Sequence, residues 1–103
     1  MRMMMKVSIP VETGNALAKS GKLGSTLKSI LDELKPEAAY FVAIDGVRTG
    51  MIFVDLKEPS DLPKAAEPFF LALNAAIEVV PAMVPEDLGK AAPHIEAAAK
   101  KYS

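Results

Sequence analysis

Two β-rich runs, Glu37 to Ile44 and Val47 to Leu56, are separated only by Asp45 and Gly46. Asp-Gly is a pair that a two-residue type I′ hairpin turn selects, because both central residues must take positive φ and few side chains tolerate it. The turn sets the register. With Ile44 opposite Val47, one side of the hairpin pairs Val42 with Thr49, Tyr40 with Met51 and Ala38 with Phe53. The other side pairs Ala43 with Arg48, Phe41 with Gly50 and Ala39 with Ile52. Both sides are apolar, so a fold built around this hairpin has two surfaces to cover.

The rest of the chain supplies two more strands and several helices. Arg2 to Ile9 alternates, with Met3, Met5, Val7 and Ile9 on one face and Arg2, Met4, Lys6 and Ser8 on the other, before Pro10 ends the pairing. From Val11 the period becomes helical. A short helix is expected over Glu12 to Lys19, a turn at Gly21, and a longer helix whose Leu27, Ile30, Leu31 and Leu34 lead to the Lys35-Pro36 stop. Pro59-Ser60-Asp61 offers capping oxygens to a helix with the stripe Ala66, Phe69, Phe70 and Leu73, which Pro68 should kink or divide. Ala75 to Met83 reads as a fourth strand, with Pro81 implying an edge or a bulge there. Pro85-Glu86-Asp87 opens a terminal helix with the stripe Leu88, Ala91, Ala92, Ile95, Ala98, Ala99 and Tyr102, broken near Pro93.

This order predicts an α+β, ferredoxin-like βαββαβ domain spanning residues 1–103, with a four-stranded antiparallel sheet and an additional C-terminal helix. Helices in that arrangement cover one face of the sheet. The face that carries Tyr40, Val42, Met51 and Phe53 is left without a helix, and an apolar surface of that kind marks an interface. Val42, Met51 and Phe53 are therefore the interface candidates.

The strand order, the Asp45-Gly46 hairpin, the Ala66-Glu67-Pro68-Phe69-Phe70-Leu71 segment and the Pro81-Ala82-Met83-Val84-Pro85-Glu86-Asp87-Leu88 exit resemble small bacterial proteins of the dimeric α+β barrel superfamily. The resemblance implies a homodimer in which two open sheets meet to close a barrel. It leaves the activity open, since the superfamily includes cofactor-free monooxygenases, haem-handling enzymes, lactone isomerases and ligand-sensing modules.

Composition narrows the choice of partner. Twelve basic and thirteen acidic residues give a net charge of −1, so no basic field exists to concentrate a nucleic-acid backbone or anionic lipid. Although an RNA-recognition module has the same strand order, Phe53 alone in the Arg48 to Val54 segment stands where a stacking ring would be needed. The longest apolar run, Ala38 to Ile44, is far shorter than the ~20 residues of a bilayer span, and the methionine-rich start has too short an apolar stretch before Lys6 for a secretory leader. The expected location is the cytoplasm, with neither membrane nor nucleic acid as partner. With no Cys and one His, no metal, haem or other cofactor is expected.

Known catalytic patterns are also missing. Trp is absent, and His94 lies next to Pro93 off the helical stripe, so it reads as a solvated residue. Strand alternation separates Met3 and Met5 from Met4, which leaves no thioether cluster. The Gly21-Lys22-Leu23-Gly24-Ser25-Thr26 turn departs from a phosphate-binding loop, because Leu23 follows Lys22 where Ser or Thr is required. What remains is a set of polar groups on the uncovered face: Tyr40 and Thr49 from the hairpin, with Lys6 and Glu78 from the neighbouring strands. Few polar groups on apolar walls make a small-molecule site, and Lys6, Tyr40, Thr49 and Glu78 are the ligand-binding candidates. The expected function is binding of a small organic molecule by a homodimer, between sheet and helices or between subunits. Two alternatives stand beside it: a cofactor-free enzyme, isomerase- or monooxygenase-like, using Tyr40, Glu78 or His94 as acid or base, and a purely structural or interaction module.

Overall fold

In the computed structural model, which describes residues 1–103, the central feature is β1 (Arg2–Ile9), hydrogen-bonded on both sides. It pairs antiparallel with β3 (Val47–Asp55) and with β4 (Ala76–Pro81), and β2 (Ala38–Ile44) adds to β3, giving the sheet order β2-β3-β1-β4. Three helices lie in the connections: α1 (Val11–Lys19), α2 (Leu23–Leu34) and α3 (Asp61–Leu73). A fourth, α4 (Pro85–Lys101), follows β4. The fold is α+β with a ferredoxin-like antiparallel sheet, and its first crossover carries two helices instead of one.

The alternation of β1 decides where the core is. Met5, Val7 and Ile9 are between 0% and 3% exposed and share a face with Ile52 and Val54 of β3. Against that layer α2 places Ile30, and α3 places Ala65, Ala66, Phe69 and Leu73. The hairpin turn has the geometry its residues demand, with φ of 54° at Asp45 and 76° at Gly46, and the register runs from Ile44 opposite Val47 to Ala38 opposite Phe53. β4 is an edge strand, so the missing N–H of Pro81 at its last position costs no ladder bond on the free side.

Several local expectations are corrected. β4 is shorter than the apolar run, since Asn74 ends α3 in the left-handed conformation and Ala82 already leaves the strand, its N–H donating to the Arg2 carbonyl. Pro68 does not divide α3, which runs through it as one helix. Ser60 makes no side-chain cap. The Asp61 carboxylate instead accepts from the N–H groups of Lys57 and Glu58 at 3.2 and 3.1 Å, closing the turn before the helix. The buried stripe of α3 contains Ala65 and not Phe70, which is 40% exposed, because one residue beyond Phe69 is rotated about 100° away from the sheet. The terminal helix is likewise continuous through Pro93, yet none of its residues is buried. An interior proline removes one backbone hydrogen bond and costs a helix about 3 kcal/mol, which makes a helix with no buried residue conspicuous.

The two neighbouring phenylalanines should respond oppositely to truncation. Phe69→Ala, at 0% exposure, should lower unfolding free energy by about 3–5 kcal/mol in urea titrations, whereas Phe70→Ala should cost less than about 1 kcal/mol.

Candidate functional site

The sheet face turned away from α1, α2 and α3 carries every second residue of each strand. Its central row runs Tyr40, Met51, Lys6, Glu78 across all four strands in direct register. The next rows hold Ala38, Phe53, Met4 and Val80 on one side, and Val42, Thr49, Ser8 and Ala76 on the other. The candidates Lys6, Tyr40, Thr49 and Glu78 and the interface candidates Val42, Met51 and Phe53 thus share one face. Tyr40 meets Phe53 edge to face, with ring centroids 6.5 Å apart and planes at 82°. That geometry suits the opposed quadrupoles of ring edge and ring face. Tyr40 is still 62% exposed and Val42 43%.

The polar members of this face are largely engaged with each other. Lys6 Nζ lies 4.0 Å from Glu78 Oε1. Thr49 is buried, and its hydroxyl donates to the Val47 carbonyl at 3.1 Å. At the strand ends Arg2 forks onto Glu37, Nε to Oε2 at 2.8 Å and Nη2 to Oε1 at 2.9 Å. The side-chain hydrogen bond from Arg2 holds the Glu37 carboxyl below its ordinary value, and the same bond raises the Arg2 guanidinium. The Met1 ammonium, 2.8 Å from Asp55, lowers that carboxyl in the same way. Tyr40 and Lys6 are two strands apart, about 9.5 Å, so these groups line a flat apolar surface and do not converge on one point.

The concave site lies elsewhere. A cleft of about 430 Å³ opens between the C-terminal end of α2, the N-terminal half of α3 and the end of β3. Ile30, Leu34, Val54, Leu56, Ala65 and Pro68 form its apolar part. Four carboxylates and three lysines stand around it, and their states differ. Glu37 is held by Arg2, Asp55 by the Met1 ammonium and Asp61 by two backbone N–H groups, which leaves Glu33. Lys35, Lys57 and Lys64 take part in none of the ion pairs. Lys35 also ends α2 with φ of 49°, in the left-handed region where glycine is the usual residue. Sequence reasoning missed this cleft. The lysines belong to three separate segments and meet only because the α2 terminus and the β3 terminus are brought to one end of the core.

His94 is exposed on α4, away from both surfaces, and no group of three or more His, Asp or Glu side chains is placed to hold a metal ion. No helix is long and apolar enough to cross a membrane. No family model, curated protein or solved structure matches the chain.

The Arg2–Glu37 fork gives a pH signature. A carboxyl whose folded value is depressed contributes stability that is complete above its unfolded value and disappears as pH falls through the folded one. Wild type should therefore exceed Glu37→Gln in urea midpoint at neutral pH, and the difference should shrink by about pH 3. An unchanging difference across that range would assign the effect to something other than the ion pair.

Proposed function

We propose that the protein is a homodimer of the dimeric α+β barrel type that binds a small organic acid. The observation that carries the ligand reading is the cleft of about 430 Å³, whose apolar wall is bordered by Lys35, Lys57 and Lys64, none of them in an ion pair. Its size falls in the range of about 300–1,000 Å³ that small ligands occupy. A carboxylate head would neutralise the unpaired ammonium groups, and a hydrocarbon or aromatic body would cover Ile30 and Leu34. Support for the homodimer comes from the uncovered face, where Tyr40, Val42, Met51 and Phe53 stand together and the charged groups are already paired. In that assembly Lys6, Tyr40, Thr49 and Glu78 are the polar groups that a molecule caught between two copies would meet. The catalytic alternative gains nothing from the geometry, since Tyr40, Glu78 and His94 do not converge.

Titration of benzoate and hexanoate into isotopically labelled protein tests the reading. Both should move the amide resonances of Leu34, Val54 and Ala65, and neutral benzyl alcohol should do so much more weakly. The double variant Lys57→Gln, Lys64→Gln should bind the acids at least about tenfold more weakly, a loss of about 1.4 kcal/mol. Equal affinity in the double variant, or no response at millimolar acid, would remove the cleft as an organic-acid site.

A further inference from the structure

α4 is a second unpartnered surface on the same chain. Its Leu88 and Ile95 are 51% and 62% exposed and fall on one stripe with Ala91, Ala92, Ala98 and Ala99, and Tyr102, which caps the helix, is 77% exposed. The opposite side carries Lys90, Pro93, His94, Lys100 and Lys101, so no charge interrupts the stripe. The helix projects. The long axis of the molecule is 59 Å against 28 and 20 Å for the others, and the radius of gyration is 17.2 Å where a compact chain of this length has about 13 Å.

A helix with an interior proline and no buried residue gains little from packing on its own chain, its local support being the Asp87 cap and the charges at its two ends. Other apolar side chains are bare at Phe41, on α3 at Leu62, Phe70 and Leu71, and across the open sheet face, and of these the sheet face alone is continuous over four strands. We infer that α4 of one chain lies across the open face of a second copy, and that the second copy returns the same contact, an inference that rests on the homodimer proposed above and makes a helix, instead of the facing sheet, the layer on that face.

Three observations choose this occupant. The exit from β4 is pinned, with the Ala82 N–H on the Arg2 carbonyl, the Val84 N–H on Asp87 Oδ2 at 3.0 Å, and Asp87 4.0 Å from Arg2. Of these contacts, the one between Arg2 and Asp87 ties the first turn of α4 to the end of its own sheet. The area is sufficient: a 17-residue helix is about 25 Å long and about 10 Å wide, so its footprint is about 250 Å². Counted on helix and sheet in two symmetry-related contacts, that comes to about 1,000 Å², the threshold for a specific interface. Finally, covering the face strands no charge, because Arg2 has Glu37, Lys6 has Glu78 and Asp55 has the Met1 ammonium.

The native chain has no Cys, so an introduced thiol is the only one. Ala98→Cys on the stripe is co-expressed with Val42→Cys, Met51→Cys or Val80→Cys on the sheet face, and the purified full-length protein is mildly oxidised. Peptide mass spectrometry should find a disulfide joining the helix peptide of one variant to the sheet peptide of the other for at least one pair. In parallel, amide exchange across α4 of wild type should be slowed by about 100-fold or more relative to an unstructured peptide, and Ile95→Asp should abolish that protection. A dimer with no mixed disulfide and an unprotected α4 would overturn the exchanged helix while leaving the homodimer standing. A protein that sediments as a monomer would overturn both, including one whose α4 is protected by folding back on its own sheet.

Discussion

β1 is hydrogen-bonded along both edges, and its alternation of Met5, Val7 and Ile9 with Met4, Lys6 and Ser8 divides the molecule in two. On one side Met5, Val7 and Ile9 form the layer on which α2 and α3 rest, together with Ile52 and Val54. The residues between them necessarily point the other way, since neighbours along a strand face opposite sides of a sheet. Because α1, α2 and α3 all lie on the first side, the same pairing that builds the core exposes Met4, Lys6, Met51, Phe53, Tyr40 and Val42 together. Core and open face are therefore two consequences of one register, and a slip of one residue would exchange them.

The charges on the two candidate surfaces are arranged differently. On the open face Arg2, Lys6 and the Met1 ammonium each have a carboxylate, so covering it displaces water from pairs and from apolar area. At the cleft three of the four acids are tied to backbone or to those same cations, Glu33 is not, and the three lysines take part in no ion pair. The first pattern suits contact with another protein surface, and the second suits a small anion.

The hairpin was readable because Asp45 and Gly46 dictate local backbone angles, and every pairing from Ala38 to Phe53 follows from them. The burial of Met5, Val7 and Ile9 was readable from period-two alternation, and the shared face of Tyr40, Thr49, Lys6 and Glu78 from the same rule. Phe70 was misplaced because apolar type alone does not separate a buried position from one rotated by about 100° along a helix. The break expected at Pro93 rested on the cost of an interior proline, and the helix nevertheless continues. The cleft was invisible because Lys35, Lys57 and Lys64 carry no local pattern; only the meeting of three separate segments brings them together.

The central claim, that the open sheet face is covered by a second copy of this chain, is tested most directly by sedimentation equilibrium of wild type, Phe53→Asp and Arg48→Ala. Phe53 lies on that face against Tyr40, whereas Arg48 lies near the hairpin tip on the helix side, where it donates to Asn15 at 2.9 Å. A carboxylate in place of the ring would be buried without a counterion under the partner, a cost of several kcal/mol over both subunits. The account predicts that wild type and Arg48→Ala sediment at twice 11.0 kDa while Phe53→Asp is monomeric or insoluble. Wild type at 11.0 kDa, or a Phe53→Asp dimer of undiminished affinity, would contradict it.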